Sequence, residues 1–352
     1  MDEQVVSIDI NTVSVISEKP KRIEWVDFAK GITILLVILG HSSTSVVRGM
    51  IYSFHMPLFF VMNAITSHFS NSQGEIIAFT EKTIRRLFIP AVSICCLKVL
   101  LTLISMLVSD VPVDWVGTLT VLINTIVYAS GDPVYVMGGV VPAIGIPWFL
   151  IALLCSRTLY NYLQLKLKWN RLLCAVTILA IIGAKLGQVQ WLPFSADIAL
   201  AVLPFFIFGN YLKKIDLEHH SLLFGFLSLL GWTLTFFVIF CLKNDYLEFA
   251  GRRYPLFPLC YVSAAFATLF ICYLGVVIGK SRIAKPFQVL GRYSMYILCV
   301  HYFDSFFGYI WCRSQNIYVN ALLRIILDIA VALIIVKFIA IIKLRLKLPR
   351  SE

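Results

Sequence analysis

Residues 31–62 read GITILLVILGHSSTSVVRGMIYSFHMPLFFVM, and this stretch decides the fold. It is long enough to cross a bilayer and turn back, because ~20 apolar residues span ~30 Å of hydrocarbon. Its polar content is concentrated in His41, His55, Arg48 between them, and the neighbouring Ser42, Ser43, Thr44 and Ser45. An ionisable group placed at membrane depth needs a partner or a purpose.

The whole chain has the same character. Of its 352 residues 59% are hydrophobic and 14% charged, with a mean hydropathy of +0.86. Soluble domains are roughly half apolar and a quarter charged. Apolar runs of spanning length fall near 28–48, 51–69, 89–109, 145–164, 172–189, 195–212, 221–241, 256–279, 291–311 and 320–342. Residues 115–129 are apolar but short, which suits an interfacial or re-entrant piece. The sequence therefore predicts an all-α, polytopic membrane bundle of about ten transmembrane helices, with one domain over 22–345. A lead-in, 1–21, starts with acidic residues and has no basic n-region, so it is not read as a signal peptide. A short tail, 346–352, follows the last run.

Basic residues set the expected orientation. With both termini cytoplasmic, the inner side collects Lys19, Lys21, Arg22, Lys82, Arg85, Arg86, Lys166, Lys168, Arg171, Lys213 and Lys214. It also collects Lys280, Arg282, Lys285, Lys343, Arg345, Lys347 and Arg350. The outer side holds little beyond Arg48, Lys243, Arg252, Arg253 and Arg313. That asymmetry follows the positive-inside rule. The net charge of +11 is then a rim facing anionic lipid, and no nucleic-acid partner is expected. The nine cysteines lie almost all inside apolar runs, and adjacent Cys95 and Cys96 cannot form an unstrained disulfide. No metal and no redox framework is expected.

If the hairpin turns at Arg48, His41 and His55 each lie seven residues from it. At 1.5 Å per residue both sit ~10 Å below its outer end and can line one cavity. A lone histidine in a bundle often does no more than bond a neighbouring helix. Two at matched depth beside hydroxyls point to acid–base chemistry, since an imidazole takes a proton from a hydroxyl and returns it to a leaving group. Asp27 shares the first helix with His41, but fourteen residues separate them, ~21 Å along the axis. A carboxylate to orient His41 must come from another span, with Asp197 and Asp304 as candidates and Asp197 at a compatible depth. His301 and Asp304, at one-turn spacing, could pair. Asp27 suits a pairing with Lys30 or Arg22. Lys82, Arg85 and Arg86 precede Pro90 at the inner mouth of a span. They serve the charge rule, and arginine forks also match the phosphates of a nucleotide-bearing thioester. Trp148 opens a later span at an interface, where its ring belongs.

Taken in order, these pieces resemble the acyltransferase-3 family of membrane-bound acyltransferases, in particular its fucose 4-O-acetylase-like, polysaccharide O-acetyltransferase branch. The pattern R-x-x-x-x-D-x-x-K-G-I-x-I-x-L-V-x-x-G-H is carried by Arg22, Asp27, Lys30, Gly31 and His41. The pattern F-H-M-P-L-F-F is carried by residues 54–60 with His55, and the basic segment by Lys82, Arg85, Arg86 and Pro90. W-F-L falls at Trp148, the inward Asp and F-F-x-x-G at Asp197 and Gly209, and G-R-x-S-x-x-I-L-x-x-H at Gly291 to His301. Two positions depart from the family pattern: Asn63 and Ala64 stand in place of a Ser-Gly pair, and Arg85 and Arg86 are adjacent.

The resemblance implies a ten-span multi-pass protein of the bacterial inner membrane. It would move an acyl group, usually acetyl, from cytoplasmic acetyl-CoA to a hydroxyl of a glycan or lipid-linked oligosaccharide of the cell envelope. His41 would lead the catalysis, helped by His55, and Lys82, Arg85 and Arg86 would handle the donor. Direct transfer and an acyl-enzyme on Ser42 or Ser45 both stay open, as does self-association. The rival expectations are a proton-coupled transporter or flippase, in which the histidines relay protons, and a non-catalytic membrane module.

Overall fold

A computed structural model describes residues 22–108, 115–136 and 139–345. The expected lead-in and tail lie outside the described residues. The chain runs α1 (Glu24–His41), α2 (Ser45–Tyr52), α3 (His55–Thr66), α4 (Gln73–Val108), α5 (Trp115–Tyr128), β1 (Val134–Val136) and β2 (Gly139–Val141). It continues through α6 (Trp148–Lys166), α7 (Trp169–Val189), α8 (Ala196–Ala201), α9 (Leu203–Leu212), α10 (Leu222–Lys243) and α11 (Leu259–Gly279). The last elements are α12 (Ala284–Arg292), α13 (Ser294–His301), α14 (Gly308–Trp311) and α15 (Ile317–Arg345). The architecture is an all-α membrane bundle, and its one small antiparallel ribbon pairs β1 with β2.

Among the described residues, six helices are long and apolar enough to cross a membrane: Ser45–Thr66 taken together, α4, α7, α10, α11 and most of α15. The bent pair Pro193–Ala201 and Leu203–Leu212, angled by 49°, makes a seventh. The expected spans 28–48, 145–164 and 291–311 do not meet that measure. Helix α1 carries Glu24, Asp27 and Lys30 in its first two turns, and α6 carries Arg157, Asn161, Gln164 and Lys166. The third region is broken into α13, a 3₁₀ turn and α14. By length and apolarity, six or seven of the described helices can cross a membrane. Helix α5 is short and apolar, and none of its residues is buried.

The hairpin is also less regular than its hydropathy suggests. It breaks at Ser53 and Phe54, so His55 starts a new helix rather than continuing α2. Helix α4 runs for 36 residues straight through Pro90, whose missing N–H costs one backbone bond but does not end the helix.

Helix α1 lies at the centre, packed against α2, α3, α11, α12, α13 and α15. Its approach to α12 is the tightest in the bundle. A Cβ on Gly31 would overlap the Phe287 carbonyl oxygen, and one on Gly291 would overlap the Asp27 carbonyl. Small residues at a membrane helix interface let two backbones meet in this way. The contact fixes α1, and therefore its last residue, His41, against the C-terminal third of the chain.

Candidate active site

The last carbonyls of any helix lack intrahelical partners. In α1 they are met from the next turn of chain: Arg48 donates through Nε to the Gly40 carbonyl at 3.2 Å and through a terminal nitrogen to that of Ser43 at 3.0 Å. A cation at a helix C-terminus is also favoured by the helix dipole. The chain turns at residues 42–44 rather than at Arg48, which lies inside α2 and caps α1, so His41 is the last residue of its helix, where the imidazole is exposed.

His41 Nδ1 lies 2.9 Å from the Tyr52 hydroxyl. The Tyr52 ring lies 4.7 Å, centroid to centroid, from that of His55, tilted by 44°. His55 Nδ1 sits 3.1 Å from the Ile51 carbonyl, which can only accept. In neutral His55 the proton therefore rests on Nδ1 and the lone pair on Nε2. Both histidines and Tyr52 line one cavity with Trp148 and Phe149 of α6, Leu298 of α13, and Glu248 and Phe249 of the loop between α10 and α11. Its volume is about 60 Å³. One water needs ~10–15 Å³ on this measure, so the cavity holds a few waters, and a sugar ring requires it to widen. At its loop edge Glu248 bonds to Arg253, which also holds Asp245 at 3.1 Å. Burial raises the Glu248 carboxyl above its ordinary range, and the charge of Arg253 opposes that rise.

A third imidazole stands behind the first. The rings of His41 and His301 are 5.1 Å apart, centroid to centroid. His301 Nδ1 lies 2.7 Å from an Asp304 oxygen and 2.9 Å from an Asp328 oxygen, all three residues being buried. Asp304 is bonded by Arg324, whose other nitrogen donates to Ser42 Oγ at 3.1 Å, next to His41. In neutral His301, with carboxylates accepting at Nδ1, Nε2 carries the lone pair, and it is buried without a hydrogen-bond partner among the described residues. His301, Asp304 and Asp328 could also hold a metal ion by the spacing of their ligand atoms. The guanidinium of Arg324 already supplies the positive charge there.

The structure does not bring Asp197 to this cavity. Asp197 stands in the first turn of α8, after Phe194 and Ser195 at φ 56° and 48°, and accepts from the Leu192 N–H at 3.2 Å. It is fully buried against Arg252, whose Nε donates at 2.8 Å and whose guanidinium stacks on Trp191 at 3.7 Å. That pair ties the loop between α10 and α11 to α8. Asp304 does not touch His41 either; it reaches the site by way of His301.

Asp27 lies 3.7 Å from Arg22 and 3.5 Å from Arg292, and Lys30 stands one turn further along α1. This cluster ties α1 to α12 away from the cavity, while Trp148 is part of the cavity wall. Lys82, Arg85 and Arg86 share one exposed face of α4. Arg157 of α6 comes within electrostatic range of Arg86, lies over the Phe79 ring at 4.8 Å, and has a buried Nε with no hydrogen-bond partner among the described residues.

Tyr52 as a bridge, Asp328, Arg324, Arg157 and Glu248 were not singled out as chemical groups from sequence. Asp328 had a legible signal, a lone acid in the apolar run RIILDIAVALII with Arg324 four residues before it.

A helical membrane bundle whose cavity gathers two histidines and a tyrosine hydroxyl, with a third histidine and two buried carboxylates behind them, defines an integral membrane protein with groups suited to proton transfer. The acyltransferase domain of the acyltransferase-3 family matches residues 23–342, nearly the whole chain, and the protein belongs to that family. It is a multi-pass membrane acyltransferase. No curated protein and no solved structure matches it.

Proposed function

We propose that the protein is an O-acetyltransferase that takes acetyl from cytoplasmic acetyl-CoA and esterifies a sugar hydroxyl of a cell-envelope polysaccharide, in the bacterial inner membrane. The observation that carries this reading is the pair His41 and His301, 5.1 Å apart, with the second held by two buried carboxylates. Tyr52 accepts from His41 Nδ1–H, which leaves Nε2 free to take the acceptor's hydroxyl proton. The alkoxide oxygen attacks the thioester carbonyl, the C–S bond breaks, and the thiolate leaves with the proton that His41 returns. Asp304 and Asp328 act on His301 and hold its ring beside His41, the orienting part that a buried carboxylate plays in catalytic triads.

The basic face of α4 together with Arg157 is the donor site in this reading. Nine residues of α6 separate Arg157 from Trp148 on the cavity wall, ~13 Å. A thioester whose phosphates rest at Arg86 and Arg157 reaches the histidines along that helix. The test is transfer of label from acetyl-CoA to glycan in membranes carrying the protein or its His41→Ala variant. Loss of label with the variant supports the reading, and unchanged label overturns it. Proton-coupled transport would need titratable groups strung toward both faces, whereas these histidines converge on one cavity.

A further inference from the structure

Helices α4 and α5, with the segment before α6, enclose a groove of about 590 Å³ that the catalytic reading does not use. Its wall is apolar, built from Cys95, Val99 and Leu103 of α4, Val121 and Leu122 of α5, and Pro142. One charged side chain lines it, Lys98, whose ammonium sits 4.2 Å over the Tyr302 ring. No acidic residue lines the groove among the described residues. An ammonium in apolar surroundings is costly, and one aromatic face offsets only part of that cost.

The groove adjoins the cavity. Tyr302 follows His301 in the chain, and Gly145, at φ 73°, packs directly on its ring. Ile146, the next residue, lines the cavity, as Pro142 and Ala143 line the groove. Lys98 itself stands over Tyr302, the ring on which Gly145 packs.

We propose that this groove holds the hydrocarbon anchor of a lipid-linked acceptor, its phosphate paired with Lys98 and the sugar it carries turned toward the histidine cavity. The inference rests on the acyl-transfer reading and names the class of acceptor. A long chain fills the apolar wall, and the anion pairs with Lys98, which faces no acidic residue in the groove among the described residues.

The test is photolabelling of the full-length protein in nanodiscs with a polyprenyl phosphate bearing a diazirine in its chain. The matching uncharged polyprenol is the comparison probe. The phosphate is expected to label α4 and α5 at least tenfold more strongly than the polyprenol. Lys98→Gln is expected to abolish that preference, and Lys98→Arg to keep it. Equal labelling by the two probes overturns the proposal, because the groove is then an ordinary lipid contact. Competition by phosphatidylglycerol as efficient as by unlabelled polyprenyl phosphate overturns it too, assigning the site to membrane phospholipid. The readout is binding, so it separates from the enzymatic claim. Charge-dependent labelling without any acetyl transfer sinks the enzyme and leaves the groove, and transfer without charge-dependent labelling does the reverse.

Discussion

At the scale of single residues, the site depends on who holds each imidazole. Tyr52 and Asp328 act on histidines and not on substrate, so their loss should slow the chemical step more than it weakens donor binding. Tyr52→Phe removes the oxygen facing His41 Nδ1 and is expected to lower kcat about tenfold with the donor KM little changed, read by initial rates against acetyl-CoA concentration. Asp328→Asn leaves His301 with Asp304, itself engaged by Arg324, and is expected to lower kcat by 10- to 100-fold, a loss of about 1.4–2.7 kcal/mol. Removing one member of a buried charged cluster also destabilises the fold, by about 3–5 kcal/mol in the worst cases. The rate comparison therefore uses protein quantified in the membrane. Arg157→Gln should show the opposite split, a donor KM raised several-fold with kcat nearly preserved, if Arg157 meets a phosphate. Of this machinery the sequence made His41, His55 and the His301–Asp304 spacing legible, because polar residues stand out against an apolar run. It did not reveal which carboxylate serves which histidine. Asp197 has suitable depth but is consumed by Arg252 fifty-five residues away, and Asp328 lies on a helix whose apolarity reads as an anchor.

At the scale of elements, the tight α1–α12 contact ties the two ends of the chain together. Its sequence traces were the glycines of two motifs, Gly31 beside Lys30 and Gly291 beside Arg292. Spacing alone gave no sign that they meet each other. Because a Cβ at either position runs into backbone carbonyl rather than a movable side chain, Gly31→Ala and Gly291→Ala should each lower thermal stability in detergent by several degrees or abolish accumulation. A larger change on the exposed face of α10, Leu227→Ala, should not. Helix boundaries were legible only in part. The break at Ser53 and Phe54 and the 36-residue run of α4 through Pro90 depend on packing and on Arg48 capping α1, neither of which hydropathy reports.

At the scale of the whole molecule, composition settled the solvent and the helical class, because no other fold satisfies its backbone in lipid so simply. The number of crossings was harder to read. Helices α1 and α6 carry charges that serve their neighbours, and those charges lower the apolarity by which a span is counted. The loop before α11 closes the small cavity with Glu248 and Phe249 and is held by Arg253, which bonds Glu248 and Asp245 and stacks on Tyr246 at 4.5 Å. A sugar enters only if this wall yields. Arg253→Ala, by loosening the loop, is expected to raise the acceptor KM several-fold while leaving the donor KM unchanged, measured with acceptor varied at saturating donor.

The most direct measurement of the central claim follows labelled acetyl-CoA in membranes containing equal amounts of the protein and its His41→Ala variant, supplied with envelope glycan. Label is expected in glycan as a base-labile ester with the unaltered chain, and to fall by about 10²–10⁴ with the variant, the usual contribution of a positioned general base. Ester formation at an undiminished rate without the His41 imidazole would contradict the assignment of that residue and of the cavity built around it.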